Sequence, residues 1–132
     1  MQLEGLILCR RVELESNGAI ALTGGFFTSV AHSRFPSRIK GPAFLIGHIS
    51  GVRHTTNVDI SLTYLRPDEA EPVPLFRRSQ PVRPPADVRQ ATVLLMDLDG
   101  VELPGHGEYR FQVWHGDTEL GRKRMFADIL HL

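Results

Sequence analysis

Apolar and polar residues alternate along most of this chain with a period of two residues. In the clearest example, the segment 58–65, the side chains of Val58, Ile60, Leu62 and Tyr64 share one face. This alternation is typical of half-buried strands in an antiparallel sheet, and no stretch shows a sustained helical period. The segments predicted to form strands are 3–14, 19–23, 26–30, 43–52, 58–65, 88–98, 108–114 and 119–130.

Turn signals rich in glycine, proline, asparagine and aspartate separate these segments along the chain. About seven or eight short strands with such spacing predict an all-β fold, a two-sheet antiparallel β-sandwich with Greek-key connections, immunoglobulin-like or C2-like. The length of 132 residues is that of one domain, so we expect a single domain over residues 1–132.

Several connections carry specific expectations. Ser16-Asn17-Gly18 predicts a hairpin turn, because asparagine and glycine accept positive φ. The alternation lapses over residues 32–42, which indicates a crossover between sheets. The proline- and arginine-rich insert, residues 71–87, predicts an edge strand or a long loop, since proline cannot donate to a strand ladder. The aliphatic segment 88–98 is expected to be a central strand.

The first predicted strand is apolar on both faces over its first half. Leu6 and Leu8 fall on one face and Ile7 and Cys9 on the other, so we expect burial on both sides. Cys9 is the only cysteine, which excludes an internal disulfide and a thiolate zinc cluster. We expect Cys9 to behave as a small buried hydrophobe rather than as a reactive thiol.

The segment 98–111 resembles a tyrosine corner. In that motif a tyrosine enters a late strand of a Greek-key sandwich, and its hydroxyl binds the backbone a few residues upstream. Tyr109 is the predicted corner residue. The motif stabilises a fold and is not itself a binding site.

Short motifs spread over most of the chain also point to a family. They are Leu8-Cys9, Leu22-Thr23-Gly24-Gly25-Phe26-Phe27, Phe35-Pro36, Gly107-Glu108-Tyr109-Arg110-Phe111 and the Gly116-Asp117 turn. Together they resemble a family of small bacterial β-sandwich proteins catalogued as a domain of unknown function. The chain departs from that pattern in the insert between Pro72 and Pro85. The resemblance implies the fold and identifies no catalytic residue.

The charges of the chain balance, with 15 Lys and Arg residues against 15 Asp and Glu residues. Nucleic-acid-binding domains normally carry a basic excess, so this balance argues against a nucleic-acid partner. No apolar run approaches the ~20 residues of a membrane-spanning helix. The first nine residues carry an acid where a signal peptide carries basic residues. We therefore expect a cytoplasmic protein without a membrane span.

Candidate metal ligands are few. Asp97 and Asp99 form a D-x-D at a loop rim, where C2-like sandwiches hold calcium, but an Asp-Gly turn is a sufficient reason for Asp99. His48 and His54 flank a predicted hairpin turn, yet two ligands are fewer than zinc usually takes from protein. The chain also lacks a nucleophile elbow and a phosphate-binding loop. We predict no metal site, no cofactor and no enzymatic activity.

The insert supplies the candidate binding residues, Leu75, Phe76, Arg77, Arg78 and Arg83. Aromatic residues and arginine anchor protein interfaces, so an exposed Leu75-Phe76 pair beside arginines predicts contact with another protein or with a second copy of this chain. The alternative for Phe76 is that it caps one end of the core.

The first functional hypothesis is therefore a non-enzymatic protein-binding or assembly module, with strand addition at an open edge as a common route. Two alternatives stay open. An anion- or nucleic-acid-binding accessory protein would need arginines such as Arg10, Arg11, Arg122 and Arg124 to share a face. A calcium-dependent, C2-like ligand or lipid binder would use Asp97 and Asp99.

Overall fold

The computed structural model describes residues 1–14, 20–69, 71–87 and 89–130. Every regular element within them is a β-strand, so no helix of the described residues could span a membrane. The predicted turn at Ser16-Asn17-Gly18 lies outside the described residues. The strands are β1 (Gln2–Leu14), β2 (Ile20–Phe26), β3 (Ser29–His32), β4 (Ser37–Arg38), β5 (Phe44–Ser50), β6 (Thr56–Leu65), β7 (Val73–Val82), β8 (Thr92–Asp97), β9 (Glu102–Leu103), β10 (Gly107–His115) and β11 (Thr118–Ile129).

These strands form three sheets. Sheet A has the order β2-β1-β5-β8, sheet B has the order β3-β11-β10-β6-β7, and β4 pairs with β9 in a two-stranded sheet. The pairs are antiparallel as predicted, except that β3 runs parallel to β11. The described residues contain more strands than the seven or eight expected, because the insert forms β7 and because β4 and β9 are two-residue strands within predicted loops.

The hydrophobic core lies between sheets A and B. Sheet A contributes residues such as Leu45 and Leu94, and sheet B contributes Ile60, Leu62 and Phe111, all at most 1% exposed. Two sheets that bury one face each against a common core form the layers of a β-sandwich. The all-β, sandwich-type prediction is confirmed at this level, and the alternation over 58–65 places its apolar residues in the core.

The insert forms the edge of sheet B. Strand β7 pairs only with β6, which confirms the prediction of an edge strand. Pro74 and Pro81 lie within it, as is possible on an edge because the outer side of the strand has no ladder to complete.

The prediction that 88–98 forms a central strand is wrong. Strand β8 is the last strand of sheet A and pairs only with β5. Its aliphatic density has another cause: Leu94 and Met96 lie in the core, whereas Val93 and Leu95 alternate with them on the opposite face of the sheet. One face of this strand is therefore apolar because it packs in the core, and the other face is an apolar outer surface of the sheet.

The connections cross between sheets A and B three times in the first half of the chain, the third time between β5 and β6. Residues 27 and 28 join β2 of sheet A to β3 of sheet B, and the segment after β3 returns to β5 of sheet A. The predicted crossover over 32–42 is thus confirmed. The hairpin predicted between His48 and His54 is wrong, because β5 and β6 belong to different sheets.

The start of β10 is fixed by the predicted tyrosine corner. The hydroxyl of Tyr109 donates a hydrogen bond to the carbonyl oxygen of Gly105 at 2.6 Å and accepts one from the Gly105 amide at 3.2 Å. Its ring stacks on Tyr64, whose hydroxyl donates to the His106 carbonyl. Burial of the Tyr109 side chain raises its pKa to about 12.

Candidate functional site

The predicted binding residues lie on or beside edge strand β7. A bulge in the pairing with β6 leaves Leu75 without a register partner, between Phe76 opposite Leu62 and Pro74 opposite Thr63. Leu75 and Phe76 are half-buried and pack against the core. They are therefore not the exposed apolar pair that the sequence predicted. Phe76 packs at the margin of the core, in agreement with the alternative prediction that it caps one end of the core.

The three arginines of the predicted site point to different places. Arg77 lies on the outer face of sheet B, where Nε donates to Asp59 at 2.8 Å and Nη2 donates to the Gly116 carbonyl at 2.9 Å. The hydrogen bond from Arg77 holds the pKa of Asp59 below its usual value. Arg78 faces the other way, and Arg83 follows the end of β7 with an exposed side chain. The structure therefore does not assemble the arginines into one cluster.

Arg78 lies in a cleft that joins β7 to the β4–β9 sheet. Its guanidinium stacks over the ring of Phe76, 4.3 Å from the ring centroid. The cleft has a volume of about 300 Å³. It is lined by Arg38, Leu75, Phe76, Arg78, Gly100, Val101, Glu102 and Pro104. Three of the five predicted binding residues share this cleft, whereas Arg77 and Arg83 do not line it.

A second cleft lies at the far end of the insert. It has a volume of about 430 Å³ and places Arg53 against Pro84 and Pro85, with Val52 and Gln90 also in its wall. The insert thus contributes to two clefts, one at each end of β7.

The outer face of sheet B is charged, and its arginines pair with acidic residues. Arg110 and Arg124 both pair with Glu108, at 3.3 and 3.5 Å. Arg122 pairs with Glu119 at 2.6 Å and thereby lowers the pKa of that carboxyl group. Several arginines do share a face, as the nucleic-acid alternative requires. Each of these arginines, however, has an acidic partner, which reduces the positive field available to a phosphate backbone.

The outer face of sheet A is apolar instead. Ile46 on β5 has Ile7 and Leu95 as its register partners on either side. Ile46 is 1% exposed although it is not part of the core between the sheets. Phe44 and Val93 extend this surface, and we name these five residues the apolar face of sheet A. Its members other than Ile46 are half-buried, and none belongs to the core cluster or packs against it.

Cys9 adjoins the apolar face, since it is the register partner of Phe44. Its side chain is 0% exposed, which confirms the expected burial. Its Sγ donates to the Arg11 carbonyl at 3.1 Å.

The D-x-D segment forms a turn. Asp97 accepts a hydrogen bond from the Asp99 amide at 2.9 Å, and Asp99 accepts one from the Gly41 amide at 2.7 Å. Both carboxylates therefore accept hydrogen bonds from backbone amides and do not point together into open space. Within residues 1–14, 20–69, 71–87 and 89–130, no three His, Cys, Asp or Glu residues come together as a metal site would require.

Sequence reasoning missed Arg38 and the 100–104 wall of the cleft, as well as the apolar face. For the apolar face a signal was present, because the runs Leu6-Ile7-Leu8-Cys9 and Val93-Leu94-Leu95-Met96 are apolar at every position. For Arg38 no local signal exists, since β4 has only two residues.

These observations define an all-β sandwich domain whose two outer faces differ, one charge-paired and one apolar. The chain belongs to the family of unknown function DUF6941, whose model matches residues 4–127. This confirms the resemblance to a family of unknown function. No curated protein matches the chain.

Proposed function

We propose that this domain is a non-enzymatic protein-binding module with immunoglobulin-like topology, and that it docks through the apolar face of sheet A. The observation that carries the proposal is the contrast between the two outer faces. Sheet B presents arginines paired with Glu108 and Glu119, whereas sheet A presents the half-buried Ile7 and Leu95 on either side of the buried Ile46.

The strand order supports the immunoglobulin-like part of the proposal. The order β11-β10-β6-β7 matches the G-F-C-C′ order of variable-type immunoglobulin sheets, and β1-β5-β8 matches A-B-E. The tyrosine corner agrees with this match, because Tyr109 lies near the start of β10, the strand that would correspond to F.

One edge strand of each sheet, β7 in sheet B and β8 in sheet A, favours docking by a face over strand addition. Strand β7 carries Pro74, Pro81 and a bulge, which are devices that disrupt pairing with a further strand. At the edge of sheet A, the carbonyl of Leu95 already accepts a hydrogen bond from Gln80 at 3.0 Å. An apolar sheet face with a polar rim is the surface that association buries most favourably.

The test compares capture by the wild-type chain and by face variants. The tagged chain is incubated with a lysate of its source organism after nuclease treatment, and bound proteins are quantified by mass spectrometry. We expect a protein, or a second copy of the chain, that is retained in stoichiometric amount. Leu95→Glu and Ile7→Glu should abolish this capture, because each places a charge in the apolar face.

The matched control is Thr63→Glu, which adds the same charge at a half-buried position on the outer face of sheet B. It should leave capture unchanged. Capture that survives both face variants, or that disappears with nuclease in the wild-type chain, would contradict the proposal. So would a wild-type chain that captures nothing and also sediments as a monomer.

A further inference from the structure

The cleft beside β7 is lined by two arginines that form no ion pair with any described residue. Among the described residues, Arg38 and Arg78 take part in no ion pair, and neither do Arg10, Arg11, Arg34, Arg53 and Arg83, whereas Arg66, Arg77, Arg89, Arg110, Arg122 and Arg124 do. Both side chains are exposed and both line the same cleft of about 300 Å³. Two arginines thus line a space into which a ligand can enter.

The orientation of Arg78 leaves its donors available. Its Cζ lies 4.3 Å from the centroid of the Phe76 ring, a cation–π contact. A guanidinium has five N–H donors, so this contact leaves donors for an acceptor in the cleft. Arg77 makes the opposite arrangement, because Asp59 and Gly116 already accept from its donors while it lies 5.1 Å from the Trp114 ring centroid.

Backbone hydrogen bonds hold Arg38 against the opposite wall. Arg38 is the register partner of Glu102 in the β4–β9 pair. The next residue, Ile39, donates to the Val101 carbonyl at 2.9 Å and accepts from the Gly100 amide at 2.8 Å. The position of Arg38 relative to this wall is therefore fixed before any ligand binds, which reduces the entropy lost on binding.

The remaining lining residues select the kind of anion. Leu75, Phe76, Val101 and Pro104 make one part of the cleft apolar. The two arginines and Glu102 give the cleft a formal charge of one positive unit, from two positive charges and one negative. A carboxylate with a single negative charge neutralises this balance, whereas a doubly charged phosphate would leave one negative unit in excess.

We propose that this cleft binds an acidic peptide segment of a partner protein, with a Glu or Asp carboxylate between Arg38 and Arg78 and an adjacent apolar side chain against Phe76. Charge-assisted hydrogen bonds from guanidinium to carboxylate supply the specificity, and the apolar contact supplies the rest of the affinity. The cleft is separate from the apolar face of sheet A, and this inference does not depend on the function proposed for that face.

The experiment titrates the ¹⁵N-labelled full chain with two capped pentapeptides, acetyl-GLELG-amide and acetyl-GLQLG-amide, and follows amide chemical shifts. We expect the glutamate peptide to shift the amides of Gly100, Val101 and Glu102 saturably. The glutamine peptide should bind at least about tenfold more weakly, since its neutral side chain forms no hydrogen bonds between charged groups. Arg78→Gln and Arg38→Gln should each weaken the glutamate peptide about tenfold.

The control is Arg83→Gln, which removes the same charge from an exposed arginine outside the cleft and should leave the affinity unchanged. The spectra of the free variants report directly whether the fold is retained. Leu95→Glu should also bind the peptide normally, which separates this inference from the proposed function. Equal binding of the two peptides, equal losses in Arg83→Gln and Arg78→Gln, no saturable shift, or tighter binding of inorganic phosphate would overturn it.

Discussion

The side-chain amide of Gln80 donates a hydrogen bond to the backbone carbonyl of Leu95 at 3.0 Å, and this bond joins the edge strands of the two sheets. Gln80 lies opposite Val58 in the ladder, on the side of β7 that faces the core. An edge carbonyl that would otherwise be free to pair with another chain is therefore satisfied from within the domain.

Replacement of this glutamine should destabilise the domain measurably. We expect Gln80→Ala to lower the free energy of unfolding by about 1 kcal/mol, because the part-buried Leu95 carbonyl loses its partner. Urea denaturation followed by circular dichroism measures the effect. Asn57→Ala, at an exposed position of the neighbouring strand, is the control and should change stability little. Equal effects of the two substitutions would show that the hydrogen bond does not stabilise the fold.

Adjacent leucines of β8 should respond differently to truncation. Leu94 is 1% exposed within the core, so Leu94→Ala should cost about 3 kcal/mol of unfolding free energy. Leu95 lies half-buried on the apolar face, and Leu95→Ala should cost less than about 1.5 kcal/mol, since water can fill the space it leaves. Both values come from denaturant titration of otherwise identical chains. Similar losses would mean that the apolar face is covered within the domain and is not a docking surface.

Much of this fold follows from local patterns in the sequence. The alternation over 58–65 and 108–114 predicts β6 and β10, because a two-residue period leaves only one face for the core. The prolines of the insert predict an edge, since a missing N–H is tolerated only there. The corner at Tyr109 is predictable for a similar reason, because the motif is local and spans only four residues.

The parts that escaped prediction depend on long-range pairing. A strand that is apolar on both faces looks central, and only the sheet order shows that β8 is an edge with an apolar outer surface. The cleft is a stronger case. Arg38 lines the same cleft as Arg78 because β4 pairs with β9, which forms part of the cleft wall, and a two-residue strand is too short to show any periodicity.

Removal of the Tyr109 hydroxyl tests the tyrosine corner. Tyr109→Phe keeps the ring that stacks on Tyr64 but loses the hydrogen bonds to both backbone groups of Gly105. We expect a loss of about 1 kcal/mol in the free energy of unfolding, as for a typical intramolecular hydrogen bond. The comparison is Trp114→Phe, which removes the hydrogen bond from the Trp114 indole N–H to Ser61. Phe111→Tyr would not serve as a control, because Phe111 is fully buried. A neutral Tyr109→Phe variant would show that the corner does not contribute to stability.

The raised pKa of Tyr109 makes the same corner sensitive to alkali. Its pKa is about 12 in the folded chain against about 10 for an ordinary tyrosine, so the folded state holds the phenol proton more tightly than the unfolded state. The resulting stabilisation is fully present below about pH 10 and is lost as the pH rises toward 12, by roughly 2 kcal/mol in total.

The measurement is the stability difference between the wild-type chain and Tyr109→Phe as a function of pH. Apart from Tyr64, which stacks on Tyr109 and whose charge raises the pKa of Tyr109, the other groups that titrate in this range contribute alike to both proteins, so their effects cancel in the difference. Below about pH 10 the wild-type chain should be the more stable by about 1 kcal/mol. As Tyr109 ionises in the unfolded state and resists ionisation in the folded one, this advantage should shrink and then reverse before the pH reaches about 12. A difference that stays constant over the whole range would mean that the hydroxyl of Tyr109 ionises equally well in the folded and unfolded chain, contrary to its burial against Gly105.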